Sequence, residues 1–348
     1  MTIRFYDLTT CTCSVTADDL VHETMAHYLS AHQVSKVDHP DVELDLCADA
    51  DAVTSVRASL TNMPPDAIRR SHPEQRYLVW TTGTHHEILL PERTTDHVIT
   101  TTTNRVGVTA DRIRTAATIG IRIVRQLIMR GGEARDGRAV HAGAIDIDGA
   151  GVLVGGHPGA GKTSVLTRLV EDHGARSVAN DRTVLAPSGD GSWMAAGVPL
   201  AWRFTPEGVD GSPRLAASVR SRRLARGHGL VDGKVELTPL EISRILDRPV
   251  IASTQVTRVV ILVRSPDGAP RTPDPVFLRE RLDFGEADFF AEDWLDLRSR
   301  LDAPPATERS NVHDWWAKVA SAVPIKVLTW ANPTELARVA AAVAGAPR

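Results

Sequence analysis

Nine consecutive residues carry the densest chemistry in the chain: Gly156, His157, Pro158, Gly159, Ala160, Gly161, Lys162, Thr163 and Ser164. The first eight satisfy the pattern G-x-x-x-x-G-K-[ST] without a mismatch. Glycines let a backbone curl until successive N–H groups face inward as an anion nest. A helix starting at the lysine brings its positive N-terminal end to the same place. Lys162 would neutralise outer phosphates, and the Thr163 hydroxyl would join a Mg²⁺ shell. The chemistry expected is capture of a nucleoside triphosphate, with ATP and GTP both open. Downstream, Asp181 closes a strand that follows the lysine helix, a position suited to Mg²⁺ or to a water on it.

The flanking residues predict the elements such a loop needs. Val152, Leu153 and Val154 form a β-type run before it, and Val165, Leu166, Leu169 and Val170 a helical stripe after it. RAVHAGAIDID (138–148) and GVLVGG (151–156) are two apolar runs joined at Gly149-Ala150, which predicts a hairpin leading into the loop. Further on, TRVVILV (257–263) reads as a central strand, TPLEISRIL as a helix capped by Thr238, and NVHDWWAKVASAV as a helix with packing tryptophans. PIKVLTW (324–330) reads as a strand and PTELARVAAAV as the terminal helix. Residues 287–301 are expected to be helical, with Trp294 and Leu297 in the core.

The first third reads as strands at 3–8, 42–48, 76–83, 86–92 and 96–103. It has a helix at 17–32 with Leu20, Met25, Tyr28 and Leu29 inward, and no catalytic motif. His85 and His86 are adjacent, so on a strand they point to opposite faces and do not make a metal pair. A long helix capped at Thr109 and stopped by Gly131-Gly132 is expected to join the two parts. Residues 206–233 gather Arg214, Arg220, Arg222, Arg223, Arg226 and His228. They read either as a mobile basic loop that clamps phosphates or an acidic substrate, or as a solvated, partly helical surface. Arg222 and Arg223 are the substrate-side candidates.

At 348 residues the length suggests two domains, or one large domain with an added module. A formal net charge of −3 provides no bulk attraction for nucleic acid. Three cysteines, Cys11, Cys13 and Cys47, lack zinc spacing and read as thiols in a reducing compartment. The first residues lack a signal-peptide pattern, and no run reaches the ~18 apolar residues needed for a membrane span. A cytoplasmic protein is expected.

Assembled, these features resemble the catalytic domain of HPr kinase/phosphorylase and its relatives, over roughly residues 135–345. The resemblance rests on Val140-His141-Ala-Gly-Ala one hairpin before the loop, on GVLVGGHPGAGKTS, on SVANDRTVL at the family's acidic pair, and on PIKVLTWANPTELARVA. It implies an α/β phosphate-loop nucleotide-binding domain of the HPr kinase/phosphoenolpyruvate carboxykinase type at 131–348. An N-terminal α+β module at 1–130 would recognise an acceptor or serve assembly. It implies ATP and Mg²⁺ as cofactors, with Lys162 and Thr163 on phosphates and metal, Asp181 as the second aspartate of the pair, and His141 near the transferred phosphate. The chain departs from the pattern at Asn180, which stands at the first aspartate and, as a catalytic candidate beside Asp181, His141 and Lys162, can still position a hydroxyl or a water. Asp181 then serves both metal and proton, or His141 is the base, or transfer proceeds without one. Glu207 is a candidate for a second metal-side carboxylate.

The implied function is an ATP- and Mg²⁺-dependent kinase acting on a Ser/Thr-type hydroxyl of a protein, peptide or amino-acid-like metabolite. No nucleic-acid or membrane partner is expected, and a homo-oligomer is open. The alternative is a nucleotide-responsive binding protein with little or no turnover.

Overall fold

Among the described residues, strand-forming runs assemble into two large mixed sheets, one of nine strands and one of eight, plus a two-stranded ribbon. The computed structural model describes all residues except 73, 84–85, 227–232, 265–272, 285–291, 306–307, 309 and 346–348, together with the side chains of 72 and 222–226. The chain forms two units: Met1–Arg135 with Gly285–Glu308, and Asp136–Phe284 with Arg309–Arg348.

In the first unit the strands are β1 (Thr2–Asp7), β2 (Thr12–Ala17), β3 (Gln33–Val34), β4 (Val42–Ala48), β5 (Ala67–His72), β6 (Gln75–Gly83), β7 (His86–Pro91), β8 (His97–Thr101) and β9 (Arg105–Ala110). Their order is β3-β1-β2-β4-β9-β8-β7-β6-β5, with β2, β4 and β9 parallel and the other pairs antiparallel. Helices α1 (Asp19–Leu29), α2 (Ala50–Leu60) and α3 (Ile113–Glu133) complete it.

Several local expectations need correction here. Leu20 is 57% exposed, and the buried face of α1 is Val21, Met25 and Leu29. Thr109 lies in β9, and α3 begins after Arg112, which makes no side-chain cap. Helix α3 runs through Gly131 and Gly132 instead of stopping there. A Cβ on Gly131 would sit 2.8 Å from the Thr10 carbonyl oxygen, so this glycine permits close approach, not termination. Of the segment expected to be helical at 287–301, Leu297–Arg300 is helical among the described residues. Trp294 stacks on Tyr77 with ring centroids 4.8 Å apart, and Arg298 meets Glu133 at 2.7 Å. These contacts account for the return of Gly285–Glu308 to this unit. His86 is in β7, while His85 falls outside the described residues.

The second unit contains β10 (Arg138–Val140), β11 (Ala142–Ile147), β12 (Ala150–Gly155), β13 (Arg176–Ala179), β14 (Thr183–Pro187), β15 (Trp193–Gly197), the ribbon β16 (Trp202–Phe204) and β17 (Val235–Leu237), β18 (Ser253–Arg264) and β19 (Ile325–Trp330). The sheet order is β10-β14-β15-β18-β12-β11-β13, with β19 on β18. Strand β18 is central, parallel to β12 and β19, and β11–β12 is the antiparallel hairpin expected before the glycine loop.

Helices α4 (Lys162–His173), α5 (Pro206–Asp210), α6 (Pro213–Arg226), α7 (Pro239–Leu246) and α8 (Pro275–Leu282) follow in chain order, and Val312–Ala322 and Leu336–Ala344 close the unit. Strand alternation sends Val152, Val154, Val260 and Leu262 into one core with Leu166, Leu169, Val339 and Val343. Leu153, Val259 and Ile261 face a second core with Phe277, Leu278, Trp315 and Trp316. Helices thus cover both sides of a mixed sheet, an α/β arrangement. No helix among the described residues is long and apolar enough to cross a membrane.

The 206–233 span is helical through α5 and α6, which favours the surface-helix alternative. Arg214 Nη1 donates to the Leu246 carbonyl at 2.9 Å, and Arg220 Nε to that of Ala216 at 3.1 Å. The side chains of Arg222, Arg223 and Arg226, and all of His228, lie outside the described residues.

His32 is 4% exposed, and its Nδ1 has no hydrogen-bond partner among the described residues. Burial pushes this imidazole down to about 4, outweighing the Asp7 backbone and carboxylate, which pull it up. The unfolded imidazole protonates near its ordinary value of 6.5. Between those values the unfolded chain binds the extra proton, so stability falls as pH drops from 6.5 toward 4 and levels off below. His32 alone contributes on the order of 3 kcal/mol to that loss. Denaturant unfolding across this range should show the slope in the wild type and a flatter one in His32→Leu; equal slopes would assign it elsewhere.

Candidate functional site

The glycine loop joins the end of β12 at Gly155 to the start of α4 at Lys162. Gly156, Gly159 and Gly161 have φ of +143°, +80° and +90°, a region that L side chains avoid. At Gly161 a Cβ would also lie 2.2 Å from the ring of Trp330, whose Nε1 donates to the Ala160 carbonyl at 3.0 Å. An indole from the C-terminal end of β19 therefore props the inner side of the turn. His157, Pro158 and Gly159 are exposed, Ala160 is buried, and Thr163 and Ser164 are half-buried. The first-turn N–H groups of α4, including those of Thr163 and Ser164, have no acceptor four residues back, leaving donors and partial positive charge at the turn.

The other site residues come from a break in one antiparallel ladder. Val140 pairs with Thr183 on one side, and Ala144 pairs with Ala179 on the other. The register is the same on both sides, so residues 141–143 and 180–182 face each other across an unpaired gap. The gap is fastened by other bonds: the His141 N–H donates to the Leu282 carbonyl at 2.6 Å, and Thr183 Oγ1 donates to that of Ala142 at 2.8 Å. A Cβ on Gly143 would strike Leu166 at 2.3 Å, so a glycine there lets α4 pack against the gap.

Within the gap His141 Nε2 lies 3.0 Å from Asp181 Oδ1 and 3.1 Å from Lys162 Nζ, and Lys162 Nζ also donates to the Gly156 carbonyl at 2.8 Å. One ring nitrogen offers one in-plane hydrogen bond. It either donates to Asp181 or accepts from Lys162, and the two demands compete. Burial pushes the Lys162 ammonium down, and the Asp181 charge opposes it. Burial alone would raise the Asp181 carboxyl, but its hydrogen bond to His141 and the charges of His141, Lys162 and Arg182 hold it below the usual carboxylate range. The Asp181 side chain is 47% exposed and that of His141 20%, so both are open to a ligand. An ionised carboxylate, an ammonium and an imidazole thus meet beside a donor-rich turn. That set can hold a polyanion on one side and a hydroxyl on the other.

Asn180 is 5% exposed, and its Nδ2 donates to the Ala201 carbonyl at 3.0 Å. Its amide is committed to the backbone. Glu207 is in the first turn of α5, where its own backbone N–H and Thr205 hold its carboxyl low; no described bond joins it to Lys162, His141 or Asp181. Sequence reading did not single out Trp330 or Phe284. The Phe284 ring stacks on His141 with centroids 5.0 Å apart and lies under the Arg182 guanidinium, 3.5 Å from its Cζ. For Trp330 the available signal was a tryptophan at the end of a strand parallel to the loop strand. For Phe284 there was none, because its partners are distant in sequence.

A carboxylate at position 180 would face the Ala201 carbonyl in a buried place. Asn180→Asp should cost about 1–3 kcal/mol at neutral pH. Its folded-state carboxyl would be raised, so the deficit is full above that raised value and shrinks as acidification lets the carboxyl donate. The difference in unfolding free energy from wild type, followed from pH 8 to 4.5, checks this; a constant difference would contradict it.

No protein-family model and no curated protein matches the chain. Among solved structures it is similar to the HPr(Ser) kinase/phosphatase from Coxiella burnetii, at 22% identity over 40% of this chain and 67% of that one, with a TM-score of 0.24. At that score no property of that protein is carried to this chain.

Proposed function

We propose that the chain is an ATP- and Mg²⁺-dependent phosphotransferase acting on a Ser/Thr-type hydroxyl of a protein, a peptide or an amino-acid-like metabolite. The observation that supports this best is the convergence of Lys162, His141 and Asp181 at the glycine turn, within 3.1 Å of one another along the chain of contacts. The donors present fit magnesium. The Thr163 hydroxyl and the Asp181 carboxylate are hard oxygens, and no group of three metal-binding side chains occurs among the described residues. So sparse a protein shell suits an ion that takes its remaining ligands from substrate phosphates and water. Bound there, the ion would supply charge neutralisation at the phosphate oxygens.

The chain's own residues would divide the work. Backbone N–H groups of the turn and the Lys162 ammonium bind the phosphates, and a phosphate oxygen replaces His141 as the partner of Lys162. His141 Nε2 is then free to donate to Asp181 and orient it. The acceptor oxygen attacks the outer phosphorus, and the bond to the bridging oxygen breaks with its electron pair leaving on the diphosphate. The hydroxyl proton passes to Asp181. A carboxylate held low is a weak base, but a loose transition state asks little of one and much of alignment. The first unit would recognise the acceptor or mediate self-assembly. A second reading, a nucleotide-responsive binder with little turnover, is favoured by the burial of the Asn180 amide against Ala201, which leaves Asp181 as the lone carboxylate of the pair.

Calorimetry with ATP and Mg²⁺ should show binding that Lys162→Ala weakens by about 100-fold or more. Asp181→Asn should leave binding within severalfold while lowering ADP release roughly 100-fold. Wild-type binding without ADP release against any hydroxyl acceptor would select the second reading. Absence of binding would reject both.

A further inference from the structure

The segment after α8 enters the gap through three separate attachments. The Leu282 carbonyl accepts the His141 N–H at 2.6 Å. The Asp283 carboxylate accepts the Trp316 indole N–H at 3.1 Å. The Phe284 ring stacks on the His141 imidazole, at 5.0 Å and 21° between planes, and meets the Arg182 guanidinium at 3.5 Å. Leu282 is anchored in turn, because a Cβ on Gly155 would come within 2.0 Å of its side chain. The strap is thus tied to the end of the loop strand, to the Val312–Ala322 helix and to His141 and Arg182 within the gap.

His141 sits between β10 and β11, outside either ladder, so backbone pairing alone does not set its ring plane. Nε2 reaches both Asp181 and Lys162 only while that plane is kept. An aromatic face stacked on the imidazole restricts the ring torsion without consuming either nitrogen, which a hydrogen-bonding partner would do. The Arg182 guanidinium, 3.5 Å from the Phe284 ring, holds the phenyl ring in turn. We infer that Phe284 is a positioning residue, which holds His141 so that Nε2 stands between the lysine and the carboxylate. Its kinetic consequence rests on the phosphotransferase reading; its geometric consequence does not.

Phe284→Tyr keeps the aromatic face, whereas Phe284→Leu keeps bulk without it. In protein labelled at histidine, ring-current displacement should move the His141 ring-proton signals upfield in wild type and Phe284→Tyr. Phe284→Leu should return them toward free imidazole positions, with His141→Asn giving the assignment. Calorimetric binding of tripolyphosphate should stay within about twofold in both variants, since the ring contacts described for Phe284 are to His141 and Arg182 and not to the turn or Lys162. ADP release from ATP and Mg²⁺ should fall about tenfold in Phe284→Leu and recover to within severalfold of wild type in Phe284→Tyr. Undisplaced His141 signals in the wild type, or equal non-zero rates in wild type and Phe284→Leu, would overturn the inference. So would equal losses in both variants with unmoved signals. Wild-type protein that displaces the His141 signals but neither binds tripolyphosphate nor releases ADP would reject the phosphotransferase reading and leave the placement of Phe284 standing.

Discussion

The arrangement depends on a single antiparallel ladder that opens for three residues on each strand and closes again in the same register. Buried N–H and carbonyl groups left unpaired cost free energy, so such a gap survives only if other partners take over. Here the Leu282 carbonyl takes the His141 N–H and the Thr183 hydroxyl takes the Ala142 carbonyl. The opening removes His141 and Asp181 from the alternation of a strand, which would otherwise fix each to one face. It also lets His141 Nε2 reach Asp181 Oδ1 at 3.0 Å, though the two are 40 positions apart in the chain.

The glycine turn is the second fixed body, and it is fixed from below. Left-handed backbone at Gly159 and Gly161 costs glycine little, but a flexible turn would lose its inward-facing donors to entropy. The indole of Trp330 supplies the restraint, with a hydrogen bond to Ala160 and a ring surface that leaves no room for a side chain at Gly161. Two cores, one on each face of the sheet, hold β12, β18 and β19 in parallel, so their C-terminal ends present the turn, Arg264 and Trp330 on one side. Ligands of α/β sheets collect at such strand ends.

Lys162 connects the two bodies. Its ammonium rests on Gly156 and on His141, which offsets part of the cost of its burial, and an incoming anion offers it a stronger charge-assisted partner. Because His141 Nε2 cannot serve Lys162 and Asp181 at once, what the lysine binds determines what the imidazole can do. The Asn180 Nδ2 meanwhile donates to the Ala201 carbonyl.

The loop, its strand and its helix could be read from residues 149–170, because there the chemistry is local: glycine, lysine and hydroxyl spacing together with apolar periodicity. The preceding hairpin, the central β18 strand, the Thr238 cap and the terminal strand and helix could be read for the same reason. Positions whose role lies in distant contacts could not. Thr109 looks like a cap until β9 claims it, and Gly131 looks like a stop until Thr10 approaches it. The sequence by itself determined which groups could grip an anion and where the chain must curl to do so. Only the tertiary structure decided that His141, Lys162, Asp181 and Phe284 share one place, because that meeting depends on strand register and on where α8 ends, and neither leaves a periodic trace along the chain.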